Sequence, residues 1–209
     1  HDIRTALPMS KAIDAMRDAF AQLANEQVTL PVRECMRASG QDGVNLVMPC
    51  HSAAAQMFSL KTVTVFGDNP QRGLPRIQGL IVLTDGETGS HLAVMDGTSL
   101  TAIRTGAVSG LATDLMAPPD ASLVAIFGAG VQARTQLEAV CAVRAIEQAK
   151  VYDPDRGAAE RFAAEMTSYL QVPVARAETA AENLADVQVV CTATSSPSPV
   201  FTDQDLPPN

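Results

Sequence analysis

Hydrophobic positions in this chain follow one set of periods before Pro118 and another after it. Ile13, Met16, Phe20, Leu23 and Ala24 recur every three or four residues, with Asp14, Arg17, Asp18 and Gln22 between them. Ser10 stands where an N-cap would, so a helix with one wet face is expected. Leu30-Pro31-Val32-Arg33 opens an extended region, and Ser39 to Gly43 reads as a polar turn. Val44–Met48 and Phe58–Phe66 are rich in apolar and β-branched residues and predict strands. Gln78–Thr84 and His91–Met95, joined by the glycine-bearing turn at Asp85–Gly89, predict a hairpin. A second helix is expected from a cap at Thr98 through Leu100, Ile103, Ala107, Leu111 and Leu115. Pro118-Pro119-Asp120 ends it and marks a boundary.

Beyond that boundary strands and helices alternate. Leu123–Phe127 is a short apolar run of the kind buried on both faces of a parallel sheet. Gly128-Ala129-Gly130-Val131-Gln132-Ala133 follows as a G-x-G-x-x-A turn leading into a helix. Lys150–Tyr152 is a second strand and ends in Asp153. Further elements are expected at Arg156–Leu170 (helix), Val172–Ala175 (strand), Ala180–Leu184 (helix) and Val187–Thr194 (strand). The fold class is therefore α/β: a Rossmann-type, doubly wound parallel sheet with a mostly antiparallel α+β domain before it. The domains divide as 1–118 and 119–209.

The turn carries the clearest chemistry. Gly128 permits the sharp bend, and Gly130 lets the backbone approach a pyrophosphate. Ala133 allows close helix packing, and the unpaired N–H groups at the helix start face the phosphates. Asp153, 25 positions after Gly128, stands where an acidic side chain binds ribose hydroxyls. A 2′-phosphate about 4 Å from that carboxylate would cost about 4 kcal/mol at an effective dielectric near 20, which favours NAD over NADP. Arg156 pulls the other way, and Asp153 could also be a plain turn residue before Pro154. Thr194 and Ser195, just past a strand's carboxyl end, read as cofactor contacts or as turn formers. Lys61, within a strand otherwise short of charge, is either a solvent-facing lysine or an amine in a cleft fitted for proton transfer. Arg104 is either a bidentate anion ligand or a surface ion-pair partner.

Composition narrows the partners. Of 209 residues 46% are apolar and 18% charged, enough for a real core, and the net charge of −8 with no basic run argues against nucleic acid and anionic membranes. No apolar stretch approaches a membrane span, and no signal-peptide pattern is present, so a cytoplasmic location is expected. Cys35, Cys50, Cys141 and Cys191 are widely spaced beside apolar runs and read as buried thiols in a reducing compartment. His51 and His91 stand alone, so no metal site is expected.

Five ordered segments carry a resemblance. They are Gly73-Leu74-Pro75, Leu83–Gly89, Ala93–Gly97, Thr101–Ala107 and Gly128–Ala133. Together the chain resembles the ornithine cyclodeaminase/mu-crystallin family, from about Ala6 to Pro208. The resemblance implies a substrate-binding and dimerisation domain, an NAD-binding Rossmann domain, a substrate cleft between them and a homodimer. It implies Lys61 beside the substrate α-carbon and Arg104 bridging substrate carboxylate and cofactor. Arg33 is the implied carboxylate ligand, with Arg37 as the alternative. Val131 and Gln132 fall at the diphosphate, Asp153 at the ribose and Thr194 near the nicotinamide. Arg76 departs from the family's usual threonine, where it would grip a phosphate or crowd the nicotinamide pocket. Family members also continue past Asn209 with further Rossmann strands and an acid/base aspartate; a chain ending here would leave a sheet face and edge bare and is expected to be inactive. The implied activity is NAD-dependent chemistry at the α-carbon of a small L-amino acid, foremost ornithine cyclodeaminase. Alanine dehydrogenase, ketimine reductase and a non-catalytic, crystallin-like NAD(P)-binding protein are the alternatives.

Overall fold

The computed structural model describes residues 2–206. Two short helices' worth of chain opens it: α1 (Asp2–Ala6) and the longer α2 (Met9–Ala24). Strands β1 (Val28–Thr29), β2 (Glu34–Arg37), β3 (Gly43–Ser52), β4 (Met57–Phe66), β5 (Ile77–Asp85) and β6 (His91–Asp96) follow. Helix α3 (Gly97–Met116) then leads to β7 (Leu123–Phe127), α4 (Val131–Val143), β8 (Gln148–Tyr152), α5 (Arg156–Leu170), β9 (Val174–Arg176), α6 (Ala180–Leu184) and β10 (Val189–Thr192). The chain forms two compact units, Asp18–Thr101 and His1–Arg17 with Ala102–Asn209. These units divide within α2 and α3, whereas the proline pair marks the expected functional halves at residue 118. The outer ends of those halves, His1 and 207–209, lie outside the described residues.

The first sheet is antiparallel, in the order β1-β3-β4-β5-β6, with β2 also pairing β3. Pro49 is tolerated inside β3 because it falls between the stretches paired with β2 and β1, where no outer strand needs its missing N–H. The second sheet is parallel, in the order β10-β7-β8-β9. Its central strand shows why a continuous apolar run is needed. Val124 and Ile126 pack with Leu137, Val140 and Phe162 on one face, while Ala125 and Phe127 pack with Leu184 and Val187 on the other. Alternate side chains thus serve two cores.

Several expectations need correction. Phe20 and Leu23 lie on the exposed side of α2, although the helical period is as expected. Ser10 is inside α2, which begins one residue earlier. Thr98 does not cap α3: the Asp96 carboxylate accepts from the Thr98 and Ser99 N–H groups at 2.9 and 3.0 Å, and Thr98 Oγ1 instead accepts from Gly79 N–H. All four cysteines are free, but only Cys191 is buried; Cys50 and Cys141 are half-buried and Cys35 is exposed. Cys35 sits on β2, a short strand whose residues are all exposed, so an apolar neighbourhood in sequence did not become a core.

Candidate nucleotide site and its surroundings

The parallel sheet changes direction at one place. From β7 the chain adds β8 and β9 on one side, then crosses back to set β10 on the other. Ligands of such sheets bind at the carboxyl ends of the strands flanking that reversal. The glycine turn leaves β7 there and Thr194 leaves β10 there. Gly128 has φ +93°, and a Cβ on it would lie 2.5 Å from the Ala193 carbonyl oxygen. Only glycine fits. A Cβ on Gly130 would meet nothing within 4 Å. Gly130 is the N-cap of α4 and supplies no side-chain cap, so the helix's first N–H groups face an open cradle. Gln132 Oε1 is buried without a hydrogen-bond partner among the described residues. An open cradle, free N–H groups and an orphaned polar atom fit a bound diphosphate and its waters.

Asp153 is tied into this turn and also closes a local turn of its own around Pro154. Its Oδ2 accepts from Ala129 N–H at 2.8 Å and its Oδ1 from Asp155 N–H at 2.9 Å. Arg156 is turned to Glu160, 2.9 Å away on the next helical turn. Thr194 is exposed and its hydroxyl accepts from Ser196 N–H at 2.8 Å, so it does form a turn at the site's edge. Val131 is 63% exposed at the first position of α4, available to a ligand.

Arg104 reaches the same region through helix packing. A Cβ on Gly106 would sit 2.4 Å from the Thr135 carbonyl oxygen, and one on Gly110 would sit 2.9 Å from Ala139 Cβ. These paired contacts advance together along both helices, so α3 and α4 run parallel and nearly touch. The small residues of the Arg104–Ala107 segment make room for α4 itself. The same register sets Arg104 level with the first turn of α4. Arg104 is exposed, its guanidinium keeps no hydrogen bond or ion pair among the described residues, and desolvation by the protein around it pulls its pKa below the usual value.

In the antiparallel unit Lys61 is half-buried on β4, paired with Met48 on β3 and Ile81 on β5. Glu34 pairs with Val47, and Arg33 precedes β2 outside the paired stretch. Met48, the partner of Lys61, is the next residue after Val47 on β3. Arg37 pairs with Val44, four residues away, about 13 Å along the strand. Arg76 is exposed at the entrance to β5, its carbonyl accepting from Phe66 N–H, and is not gathered with Lys61. Among the described residues no group of three or more His, Cys, Asp and Glu could hold a metal, and no helix is long and apolar enough to cross a membrane.

Residues 1–208 match the sequence pattern of the ornithine cyclodeaminase/mu-crystallin family. The chain belongs to that family. It is 32% identical over 198 residues to Delta(1)-pyrroline-2-carboxylate reductase of Bacillus cereus, covering 95% of this chain and 61% of that protein. It is 36% identical over 192 residues to L-lysine cyclodeaminase of Streptomyces rapamycinicus, covering 90% of this chain and 55% of that protein. Among solved structures it is similar to Delta(1)-pyrroline-2-carboxylate reductase of Thermococcus litoralis in complex with NADH and L-proline. There the TM-score is 0.92 with 37% identity, over 97% of this chain and 64% of that one. The chain thus spans about three-fifths of the length of the family relatives it matches.

One participant had no sequence signal. Arg134 folds back onto the glycine turn and pairs with Glu165, 31 residues away, and no local spacing announces that pair.

Proposed function

We propose that this chain carries the nucleotide site and substrate ligands of an NAD-dependent enzyme. It moves a hydride to or from the α-carbon of a small L-amino acid or its cyclic imine. The best-supported direction is reduction of a ketimine of the Δ1-pyrroline-2-carboxylate type to a cyclic amino acid such as L-proline. The observation that carries this reading is the glycine turn at the sheet's switch point, with Asp153 bonded into it and Gly130 facing open space. The relative with NADH and L-proline bound supports the same cofactor and substrate class.

In this reading residues 119–209 serve as a Rossmann-type NAD domain and 1–118 as the substrate and dimerisation domain. Gly128, Gly130, Val131 and Gln132 hold the diphosphate, Asp153 the ribose, and Thr194 borders the nicotinamide. Arg33 and Arg104 hold the substrate carboxylate, with Arg37 the more distant alternative and Arg76 a cofactor contact. Bound there, a nicotinamide supplies the hydride that adds to the imine carbon. Lys61 delivers the proton to the imine nitrogen, so the C=N bond becomes an amine. A homodimer is supported by Phe58, Leu60, Leu80 and Val94, large apolar side chains exposed together on the sheet face opposite Lys61. The free thiols suit a reducing cytoplasm.

The identity to a lysine cyclodeaminase supports a second reading. The same residues would hold L-ornithine while its side-chain amine displaces ammonia at the α-carbon to give proline, with no net NADH formed. One assay separates the two. Intact protein with Δ1-pyrroline-2-carboxylate and C4-deuterated NADH should yield proline deuterated at Cα, one NADH consumed per proline. Proline from L-ornithine with catalytic NAD, and no deuterium transfer in the first arm, would favour the cyclodeaminase. Product in neither arm would defeat both.

A further inference from the structure

The glycine turn is not rigid by virtue of its glycines, and something must hold it open. Arg134, the fourth residue of α4, folds back over the turn that precedes the helix. Its Nη1 donates to the Ala129 carbonyl at 2.7 Å and to the Gly130 carbonyl at 3.0 Å. Nε donates to both Glu165 oxygens at 3.0 Å, and Nη2 donates to Glu165 Oε2 at 2.6 Å. The guanidinium carbon lies 5.3 Å from the centre of the Phe162 ring, which is fully buried. The planar fork is therefore fixed on three sides: by a carboxylate, by an aromatic face and by two carbonyls.

The consequence follows from peptide geometry. In a trans peptide unit the C=O and the next residue's N–H point in opposite directions. Holding the Ala129 carbonyl fixes where Gly130 N–H points, and holding the Gly130 carbonyl fixes Val131 N–H. The preceding unit is held from its other side, because Asp153 takes Ala129 N–H. Three consecutive peptide units of the turn are thus pinned by side chains. We propose that Arg134, held by Glu165 and Phe162, is the positioning residue of the diphosphate turn, aiming the Gly130 and Val131 N–H groups at the anion. This inference rests on the nucleotide site proposed above. It gives Arg134 no contact with the ligand: four of its five N–H donors are spent on the protein's own carbonyls and on Glu165. The preorganisation removes the cost of freezing the turn when the anion arrives.

The test compares ADP-ribose, which carries the diphosphate, with adenosine, which does not, by calorimetric titration of the intact protein. The wild type must bind ADP-ribose; if it does not, the nucleotide site itself is wrong and Arg134 is beside the point. Given that binding, Arg134→Met keeps the apolar stem on Phe162 but loses the fork. It should weaken ADP-ribose about ten- to a hundredfold and adenosine by about twofold at most. Arg134→Lys, which restores the charge without a fork, should recover only a minor part of the loss. Unchanged ADP-ribose affinity in Arg134→Met, equal losses for both ligands, or full recovery in Arg134→Lys would each overturn the proposal. Should Arg134→Met fail to fold, Glu165→Gln carries the test. A loss of about threefold or more for ADP-ribose alone supports the clamp, and no loss overturns it.

Discussion

Strands β7 and β4 are both rich in apolar residues, yet they meet different fates. Val124 to Phe127 of β7 are at most 1% exposed, while Phe58 and Leu60 of β4 keep 46% and 43% of their surface in solvent. Val63 is the one buried hydrophobic side chain among the described residues of the unit Asp18–Thr101. The parallel sheet has helices of its own on both faces, so both of its side-chain sets are covered. The antiparallel sheet keeps one half-covered face, which carries Lys61, and one apolar face open. Similar strand compositions therefore describe a finished core in one unit and an open apolar face in the other.

Four experiments press on that contrast. Lys61→Ala removes a side chain from the loosely packed sheet, where stability should hardly change. Hydride transfer should nevertheless fall about 10²- to 10⁴-fold, with NADH affinity kept within about twofold, as measured by single-turnover kinetics and titration. Gly106→Val tests the opposite unit, where a Cβ meets backbone at 2.4 Å. It should cost about 3 kcal/mol and lower Tm by roughly 6–12 °C; a shift under about 2 °C would mean that α3 and α4 are free to part. Leu60→Asp, on the open face, should leave Tm within roughly 4 °C at equal association state but convert dimers to monomers in sedimentation. The smallest effect is in acid. Glu165's carboxyl is held below its ordinary value of 4.5 by the Arg134 hydrogen bonds. That contribution is complete above pH 4.5 and is lost as pH falls through the depressed value, so Glu165→Gln should flatten the acid limb of a stability–pH curve in that window.

How much of this was legible beforehand depended on how local the cause was. The switch-point turn, its flanking strands and Asp153 sit within one short segment, and periodicity with the glycine spacing was enough to read them. The exposure of Phe20, Leu23 and Cys35 was not readable, because an apolar period says which residues share a face but not whether anything covers it. Local spacing points to Thr98 as the cap of α3, whereas Asp96, inside the preceding strand, bonds across the strand–helix junction. Spacing alone does not say what fills the room that Gly106 leaves; the occupant is α4, at the Thr135 carbonyl. Arg134 and Glu165 were invisible for a related reason: their pairing exists only once α4 and α5 lie side by side on the parallel sheet.

Selection of NAD by the turn at Gly128–Ala133, with Asp153 bonded into it, is the proposal on which the rest depends. Titration of the intact protein with NADH and with NADPH tests it directly. NADH should bind at least about tenfold more tightly, and Asp153→Ser should narrow that gap by admitting the 2′-phosphate. Equal or tighter binding of NADPH, or binding of neither nucleotide, would contradict it.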